Sequence, residues 1–226
     1  MRRSAVALAG ICLLVAGCGN SISSAQSPTP TRTMIPRPLV ERELAGLLLS
    51  PEQVAATMGA TAMAVTETQT SMADNSAVMA PLECLALDGA AESQVYANSG
   101  FLAERDQSLH DGDDFKHYVK QAVVLFPYME KAAEFFQTSA EQWPACHQYS
   151  HTQSGSQWSV GEIANTDGTL STVAVHTDAA APGWACGRAL VHQNNIIADV
   201  NTCSAAPGDT ALRIANQIAA NVAAQW

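Results

Sequence analysis

The sequence predicts an α+β domain in which helices pack on a central antiparallel β-sheet braced by two disulfides. The order of periodic segments is the first reason: helical patterns come first, mainly consecutive strand-like segments follow, and a helical pattern comes last. An apolar hairpin pattern near residue 194 is the second, and four cysteines downstream of an export signal are the third. Because 47% of the 226 residues are hydrophobic and 14% are charged, the chain can build one domain with a core.

The domain begins with two helical segments. Residues 39–49 predict a short helix, and the run Ser50-Pro51-Glu52-Gln53 resembles a capping box with proline at the first helical position. Gly59 ends this second helix. Residues 62–69 show the β-branched alternation of a strand, and a helix is predicted around residues 84–98.

The second half of the chain consists mainly of strands. They are predicted at residues 101–108, 117–126, 148–152, 157–164 and 170–177. A helix over residues 128–140 runs on toward Trp143 until Pro144 stops it. Asp209 caps a last helix, whose apolar stripe consists of Leu212, Ala215, Ala219 and Val222.

The first 17 residues have the form of a secretory signal peptide, with a basic start, an apolar run of about a dozen residues and small residues at its end. That run is shorter than the roughly 20 residues that cross a bilayer. Its ending, Val15-Ala16-Gly17-Cys18, resembles the lipobox of bacterial lipoproteins, in which the cysteine receives a diacylglyceryl group and becomes the new N-terminal residue. We therefore expect Cys18 to be the lipid anchor, since two acyl chains suffice for stable attachment. The alternative is an ordinary signal peptide with an incidental cysteine.

Three regions follow from this interpretation. Residues 1–17 are the lipoprotein signal peptide, residues 18–38 are the lipidated cysteine with a tether rich in Ser, Thr and Pro, and residues 39–226 are the domain. The expected location is the extracytoplasmic face of the plasma membrane. Removal of the signal peptide also removes Arg2 and Arg3, so the net charge changes from -10 to -12. This acidic balance argues against a nucleic-acid partner, because nucleic-acid binding requires clustered Lys and Arg.

The cysteines that remain in the domain are Cys84, Cys146, Cys186 and Cys203. Four exported cysteines favour two disulfides, for which three connectivities exist. Residues 184–193 and 196–203 predict a hairpin around Asn194-Asn195, closed by the hydrogen-bonded pair Gln193 and Ile196. Cys186 and Cys203 are each seven positions beyond that closing pair, so they lie opposite each other as a non-hydrogen-bonded pair. We predict the Cys186–Cys203 disulfide and, by elimination, Cys84–Cys146. The alternative is a coincidental register, with thiols that are free or paired differently.

The two faces of this hairpin differ in chemistry. One face is apolar and can receive a helix; it consists of Gly187, Ala189, Val191, Ala198, Val200 and Thr202. On the other face, Arg188 lies diagonally from Asp199 and directly opposite Asn201. Such a mixed face can line a ligand cleft, and the candidate ligand-binding residues are Arg188, His192, Asp199 and Asn201. The alternative is an ordinary solvent face with a weak cross-strand ion pair.

Motifs for catalysis or metal binding are weak. His147 and His151 are four positions apart, a spacing at which two histidines on a helix can bind one zinc ion. However, they lie in a predicted strand, and no glutamate occupies the position of the general base in the metalloprotease motif. Residues 111–114 lack the closing glutamate of a calcium loop. The sequence contains no Gly-x-Ser-x-Gly elbow, dinucleotide fingerprint or Walker loop. We therefore predict a protein that is not an enzyme, with no catalytic residues, no cofactor and no metal.

Five segments of the sequence together resemble one known family. They are residues 48–54 (LLSPEQV), 81–84 (PLEC), 122–126 (AVVLF), 143–146 (WPAC) and 184–203, which begins with WACGRAL. They look like the PknH-type extracellular sensor domain of mycobacteria, over about residues 39–226. The resemblance implies an α+β fold with two disulfides and a cleft proposed to bind an unidentified ligand. It also implies either the outer part of a receptor serine/threonine kinase or a domain that stands alone behind a lipid anchor, and this chain resembles the second kind.

Three function hypotheses follow. The first is a lipid-anchored extracytoplasmic sensor that binds a small polar or amphipathic ligand of the cell envelope. The second is an interaction module that docks an envelope protein, such as a receptor kinase, through an exposed face of the sheet. The third, an envelope hydrolase, requires a serine and a carboxylate beside one of the four histidines His147, His151, His176 and His192.

Overall fold

The computed structural model describes residues 36–113 and 115–226. The predicted signal peptide, Cys18 and the predicted tether up to residue 35 lie outside the described residues. The first described residues contact the domain, since the Asn194 side-chain amide donates to the Arg37 carbonyl oxygen at 2.7 Å. No helix within the described ranges is long and apolar enough to cross a membrane.

The described residues form five α-helices and four short 3-10 helices. The α-helices are α1 (Pro51–Met58), α2 (Leu85–Asp88), α3 (Ser93–Tyr96), α4 (Met129–Gln142) and α5 (Thr210–Ala223). The 3-10 helices are Glu41–Leu47, Ser76–Val78, Leu82–Cys84 and Trp143–Ala145. Helix α1 begins with the predicted capping box between Ser50 and Gln53, and it ends at Gly59, which has a φ of 71°.

One antiparallel sheet organises the domain. Its strands are β1 (Ala64–Gln69), β2 (Met79–Ala80), β3 (Ala103–His110), β4 (Tyr118–Leu125), β5 (Gln148–His151), β6 (Gln157–Val160), β7 (Ala164–Thr166), β8 (Thr169–Thr177), β9 (Ala185–Gln193) and β10 (Ile196–Ser204). They are arranged in the order β1-β3-β4-β10-β9-β8-β6-β5-β2, and β7 pairs with β8. The predicted class, a central antiparallel sheet with helices packed on it, is confirmed.

The β9–β10 hairpin has the predicted register. Asn194 takes the positive φ of 53° that a two-residue turn requires, and Cys186 lies opposite Cys203. These cysteines form a disulfide with Cα atoms 4.1 Å apart, and Cys84 and Cys146 form the second with Cα atoms 5.1 Å apart. This is the connectivity that the hairpin register predicts.

Each face of the sheet is covered by its own apolar layer. Helices α1 and α5 and the 3-10 helix Glu41–Leu47 pack on the face that carries Ala189, Val191 and Ala198, as predicted. Helix α4 and the chain around α2 and α3 cover the other face with large side chains, among them Tyr96 and Trp143. Both disulfides lie in this second layer.

The predicted helix over residues 84–98 is wrong. The structure has only the single turns α2 and α3 there, separated by an irregular stretch in which Ala91 has a φ of 53°. The reason is tertiary: the Ala91 N–H donates to the Asp199 carboxylate on β10 instead of to a helical carbonyl.

Two further elements differ from the sequence prediction. The first helix, expected over residues 39–49, is the 3-10 helix Glu41–Leu47. The strand expected over residues 157–164 is divided into β6 and β7. A Cβ at Gly161 would lie 2.9 Å from the Val173 carbonyl oxygen, and this close backbone approach interrupts the strand.

Candidate functional site

A cleft of about 480 Å³ opens on the face of the sheet that α4 covers elsewhere, at the end of the hairpin marked by the Cys186–Cys203 disulfide. One side is formed by β1, β3 and β4, and the other by β5 and β6. Residues 88–96, which we call the covering segment, contribute the wall between them. The volume lies within the usual range for small-molecule sites, about 300–1,000 Å³.

Aromatic side chains border this cleft on both sides of the hairpin. Phe115 is 47% exposed and stacks near Tyr118 and Trp184, with ring centroids 5.9 and 6.3 Å away. Its φ of 45° is unusual for a bulky residue. Trp158 on β6 lines the cleft from the other side and stacks on His176 at 4.7 Å.

Lys120 is a cation in the cleft lining, and it already has an acidic neighbour. Its Nζ lies 3.5 Å from an oxygen of Asp106, a fully buried carboxylate on the adjacent strand. Neither Asp106 oxygen has a hydrogen-bond partner among the residues that the structure describes, and burial raises the pKa of this carboxyl. Glu104, two residues earlier on β3, is also buried without a hydrogen bond, and burial together with the charge of Asp106 raises its pKa to about 7.

Glu92 supplies a third buried carboxylate, at the cleft wall. It is 2% exposed, and its two oxygens accept hydrogen bonds from the Asn75 backbone N–H and side-chain amide at 3.0 and 2.6 Å. Burial raises its pKa. The space beneath it exists because residue 89 is glycine, since a Cβ there would lie 2.7 Å from Glu92 Oε1.

His151 connects Asp88 to Ser156. Its Nε2 lies 2.7 Å from the Asp88 carboxylate, and its Nδ1 lies 3.1 Å from Ser156 Oγ. The hydrogen bond to Asp88 raises the pKa of His151. Ser156 Oγ is engaged further, because it accepts a hydrogen bond from the indole N–H of Trp158 at 3.1 Å. Of the four histidines in the hydrolase hypothesis, His151 thus has both a serine and a carboxylate beside it.

The structure separates the four predicted ligand-binding residues. Asn201 lines the cleft and donates to the Asp88 carbonyl oxygen at 3.1 Å. Arg188 and Asp199 are 2% and 1% exposed, they lie beneath the covering segment, and neither lines the cleft. His192 is half-buried near the hairpin turn, where it hydrogen-bonds the Asn194 carbonyl oxygen at 2.8 Å. The alternative of an ordinary solvent face is wrong, because this face is buried.

Sequence reasoning missed several cleft residues. Alternation along β4 places Lys120 on the same face as Asn201. The single lysine in the strand YVKQAVVL could therefore have been identified from the sequence as a candidate cleft residue. Glu92 could not be placed in the cleft from the sequence, because it belongs to the irregular covering segment, which has neither a helical nor a strand periodicity. His147 is exposed, and the described chain brings no three His, Cys, Asp or Glu side chains together in a way that could hold a metal ion.

Comparisons with known proteins identify close relatives. A family model described as "PknH-like extracellular domain" matches residues 39–221. The serine/threonine-protein kinase PknH of Mycobacterium bovis is 33% identical over 203 residues, which are 88% of this chain and 33% of that protein. PknH of Mycobacterium tuberculosis is 33% identical over 198 residues, 85% of this chain and 31% of the kinase. The chain therefore spans about a third of the length of these relatives.

A solved structure supports the same relationship. The crystal structure of the extracellular domain of PknH from Mycobacterium tuberculosis superposes with a TM-score of 0.79 at 31% sequence identity. The superposition covers 84% of this chain and 99% of that chain.

Proposed function

The chain belongs to the family of PknH-like extracellular domains, and from that premise we propose that it is a lipid-anchored sensor which binds a small ligand of the cell envelope. The observation that carries the proposal is the cleft of about 480 Å³, with its aromatic border and buried polar groups. Sites for small molecules combine an apolar lining with a few fixed polar groups in this way.

Ligand binding can be tested on the full chain. The chain is purified from a mycobacterial membrane in non-ionic detergent, and its thermal unfolding is measured with fractionated envelope extracts. A ligand that binds the folded state raises the midpoint. Trp184→Ala, at the cleft border, should abolish the increase, whereas Trp226→Ala, which changes an exposed tryptophan outside the cleft, should retain it. If no fraction raises the midpoint of the wild-type chain, the sensor proposal is rejected.

The anchor is proposed from the Val15-Ala16-Gly17-Cys18 sequence. We expect metabolic labelling with an alkyne-bearing fatty acid to mark the wild-type chain, and Cys18→Ser to lose the label and leave the membrane fraction. Retention of the label by Cys18→Ser would refute the assignment of the anchor to this residue. Cys12→Ser, a change within the predicted signal peptide, is the control and should be labelled normally.

A protein-interaction role is a second candidate, favoured by the edge strand β1. This strand pairs with β3 on one side only, and five of its six residues are exposed. An extended segment of a partner, such as a receptor kinase, can add to such an edge through backbone hydrogen bonds. Cross-linking through a photoreactive residue at position 66 on intact cells should capture one reproducible partner, and failure to capture any would reject this candidate.

We do not propose hydrolysis as the function. Ser156 Oγ already accepts the Trp158 indole N–H, which opposes the increase in basicity that a nucleophile requires. The His151 contacts therefore fit the bracing of the β5–β6 connection. A fluorophosphonate probe should leave the chain unlabelled, whereas stoichiometric labelling that Ser156→Ala removes would establish the hydrolase instead.

A further inference from the structure

We propose that the cleft selects an organic cation, a ligand in which an ammonium or guanidinium group is joined to an apolar or aromatic body. The inference rests on the proposed function, since it assigns a chemical class to the ligand of the same cleft. It goes beyond that function because an envelope ligand could equally be neutral or anionic.

The charges in the cleft lining are predominantly negative. Glu67, Asp88 and Glu92 contribute three carboxylates, of which Glu67 is exposed and Asp88 is hydrogen-bonded to His151. The Lys120 ammonium lies 3.5 Å from the buried Asp106. An anionic ligand that approached Lys120 would meet these carboxylates in a partly desolvated space, where like charges repel more strongly than in water. A cationic ligand would be attracted by the same groups.

Glu92 is the group best placed to hold the cation. Its carboxylate is fixed by two hydrogen bonds from Asn75, a neutral residue, so its negative charge is oriented without being neutralised by that partner. Burial makes a carboxylate costly even with the Lys120 charge nearby, and an incoming cation would lower that cost through direct electrostatic attraction. Burial raises the pKa of Glu92, and a cation bound beside it would favour the ionised carboxylate.

The aromatic border suits the remainder of such a ligand. Phe115, Tyr118 and Trp184 form one aromatic group, and Trp158 faces the cleft from β6. Ring faces attract organic cations and also cover apolar carbon, which is why aromatic residues line sites for quaternary ammonium groups. Phe115 keeps its ring at this border despite a positive φ, a backbone state that is uncommon for bulky residues outside functional sites.

The experiment compares three water-soluble probes that share a phenyl ring and differ in charge. They are benzyltrimethylammonium, benzyl alcohol and phenylacetate, and their binding to the full chain in non-ionic detergent is measured by calorimetry. We expect benzyltrimethylammonium to bind about tenfold more tightly than either of the others, the ratio that corresponds to roughly 1.4 kcal/mol. Added salt should weaken its binding.

Two variants locate the cation at Glu92. Glu92→Gln removes the charge, and Gly89→Ala retains it but displaces the carboxylate through the added Cβ. Both should weaken benzyltrimethylammonium binding about tenfold, the loss expected when one charge–charge contact is removed or displaced. The control Glu134→Gln, which removes an exposed carboxylate on α4, should bind as the wild-type chain does. The unfolding midpoint of each variant shows whether it folds. If one of Glu92→Gln and Gly89→Ala does not fold, the binding affinity of the other variant tests the role of Glu92.

Three outcomes would overturn the proposal. They are tighter binding of phenylacetate than of the cation, cation binding that neither variant at the Glu92 site weakens, and no binding of any of the three probes. The proposed sensor function fails separately, because it depends on whether an envelope fraction raises the unfolding midpoint of the wild-type chain.

Discussion

Arg188 on β9 and Asp199 on β10 form an ion pair inside the domain, with side chains that are 3% and 1% exposed. Asp199 also accepts hydrogen bonds from the Ala91 backbone N–H and the Tyr96 hydroxyl, both at 2.9 Å. The Arg188 guanidinium lies over the Trp143 ring, 5.5 Å from its centroid. The pair therefore connects the sheet to the covering segment that forms one wall of the cleft.

Breaking this ion pair from one side should be strongly destabilising. Asp199→Asn leaves the Arg188 charge buried without its counter-ion. Arg188→Met likewise leaves the Asp199 charge buried without its counter-ion. We expect each to lower the free energy of unfolding by about 3–5 kcal/mol, measured by urea denaturation. The double variant should lose less than the sum of the two, because the uncompensated charges are removed together. Additive losses would contradict a direct pair.

The sequence predicted this diagonal arrangement but not its burial. Strand alternation and the Asn194-Asn195 turn sufficed to place Arg188 across from Asn201 and next to Asp199, and the same register predicted the Cys186–Cys203 disulfide. The covering segment was not predictable, because its Ala91 N–H and Tyr96 hydroxyl bond to Asp199 on the distant strand β10. Its helical turns are also too short to show a periodicity. Those contacts are decided by tertiary structure rather than by local propensity.

Glu104 should make stability depend on pH. Its pKa of about 7 in the folded state lies above the ordinary value of 4.5 for the unfolded chain, so the folded state retains a proton that the unfolded state releases. Stability is then greatest below about pH 4.5 and falls as the pH rises toward 7. Glu104→Gln should remove this fall and be more stable than the wild-type chain at pH 8, by up to about 3 kcal/mol.

Urea denaturation between pH 4 and pH 8 measures the effect. Below pH 4.5 the wild-type and Glu104→Gln chains should be similarly stable. Glu134→Gln, on the exposed surface of α4, is the control and should follow the wild-type curve. Equal stability of Glu104→Gln and the wild-type chain at every pH would show that the buried carboxyl does not titrate in this range.

Asp88 should control the protonation of His151. The hydrogen bond between them raises the His151 pKa above its ordinary 6.5, so Asp88→Asn should lower that pKa, as measured by NMR titration of the ring protons. Because the folded-state pKa is raised, the stabilisation is complete below pH 6.5 and is lost as the pH rises through the folded-state value. The destabilisation caused by Asp88→Asn should therefore be larger at pH 5.5 than at pH 8.5. The reverse order would contradict the pairing.

The two disulfides should contribute unequally to stability. The Cys84–Cys146 bridge joins residues 62 positions apart and the Cys186–Cys203 bridge residues 17 apart, so the first constrains the unfolded chain more. Replacing each pair by serines should cost roughly 4 and 3 kcal/mol, respectively, on the loop-entropy model. Peptide mapping without reduction should recover both cross-links, and a Cys84–Cys186 peptide would refute the connectivity.

The β9–β10 hairpin also separates the cleft from the point at which the described chain begins. The chain enters the described domain at the hairpin turn, where Asn194 and Asn195 bond to the backbone of Arg37 and Leu39. The cleft lies at the other end, beside Cys186 and Cys203, and seven residue rises of about 3.3 Å separate the two ends by roughly 20 Å. The first described residues and the cleft therefore lie at opposite ends of the same hairpin, so the chain enters the described domain without obstructing the cleft.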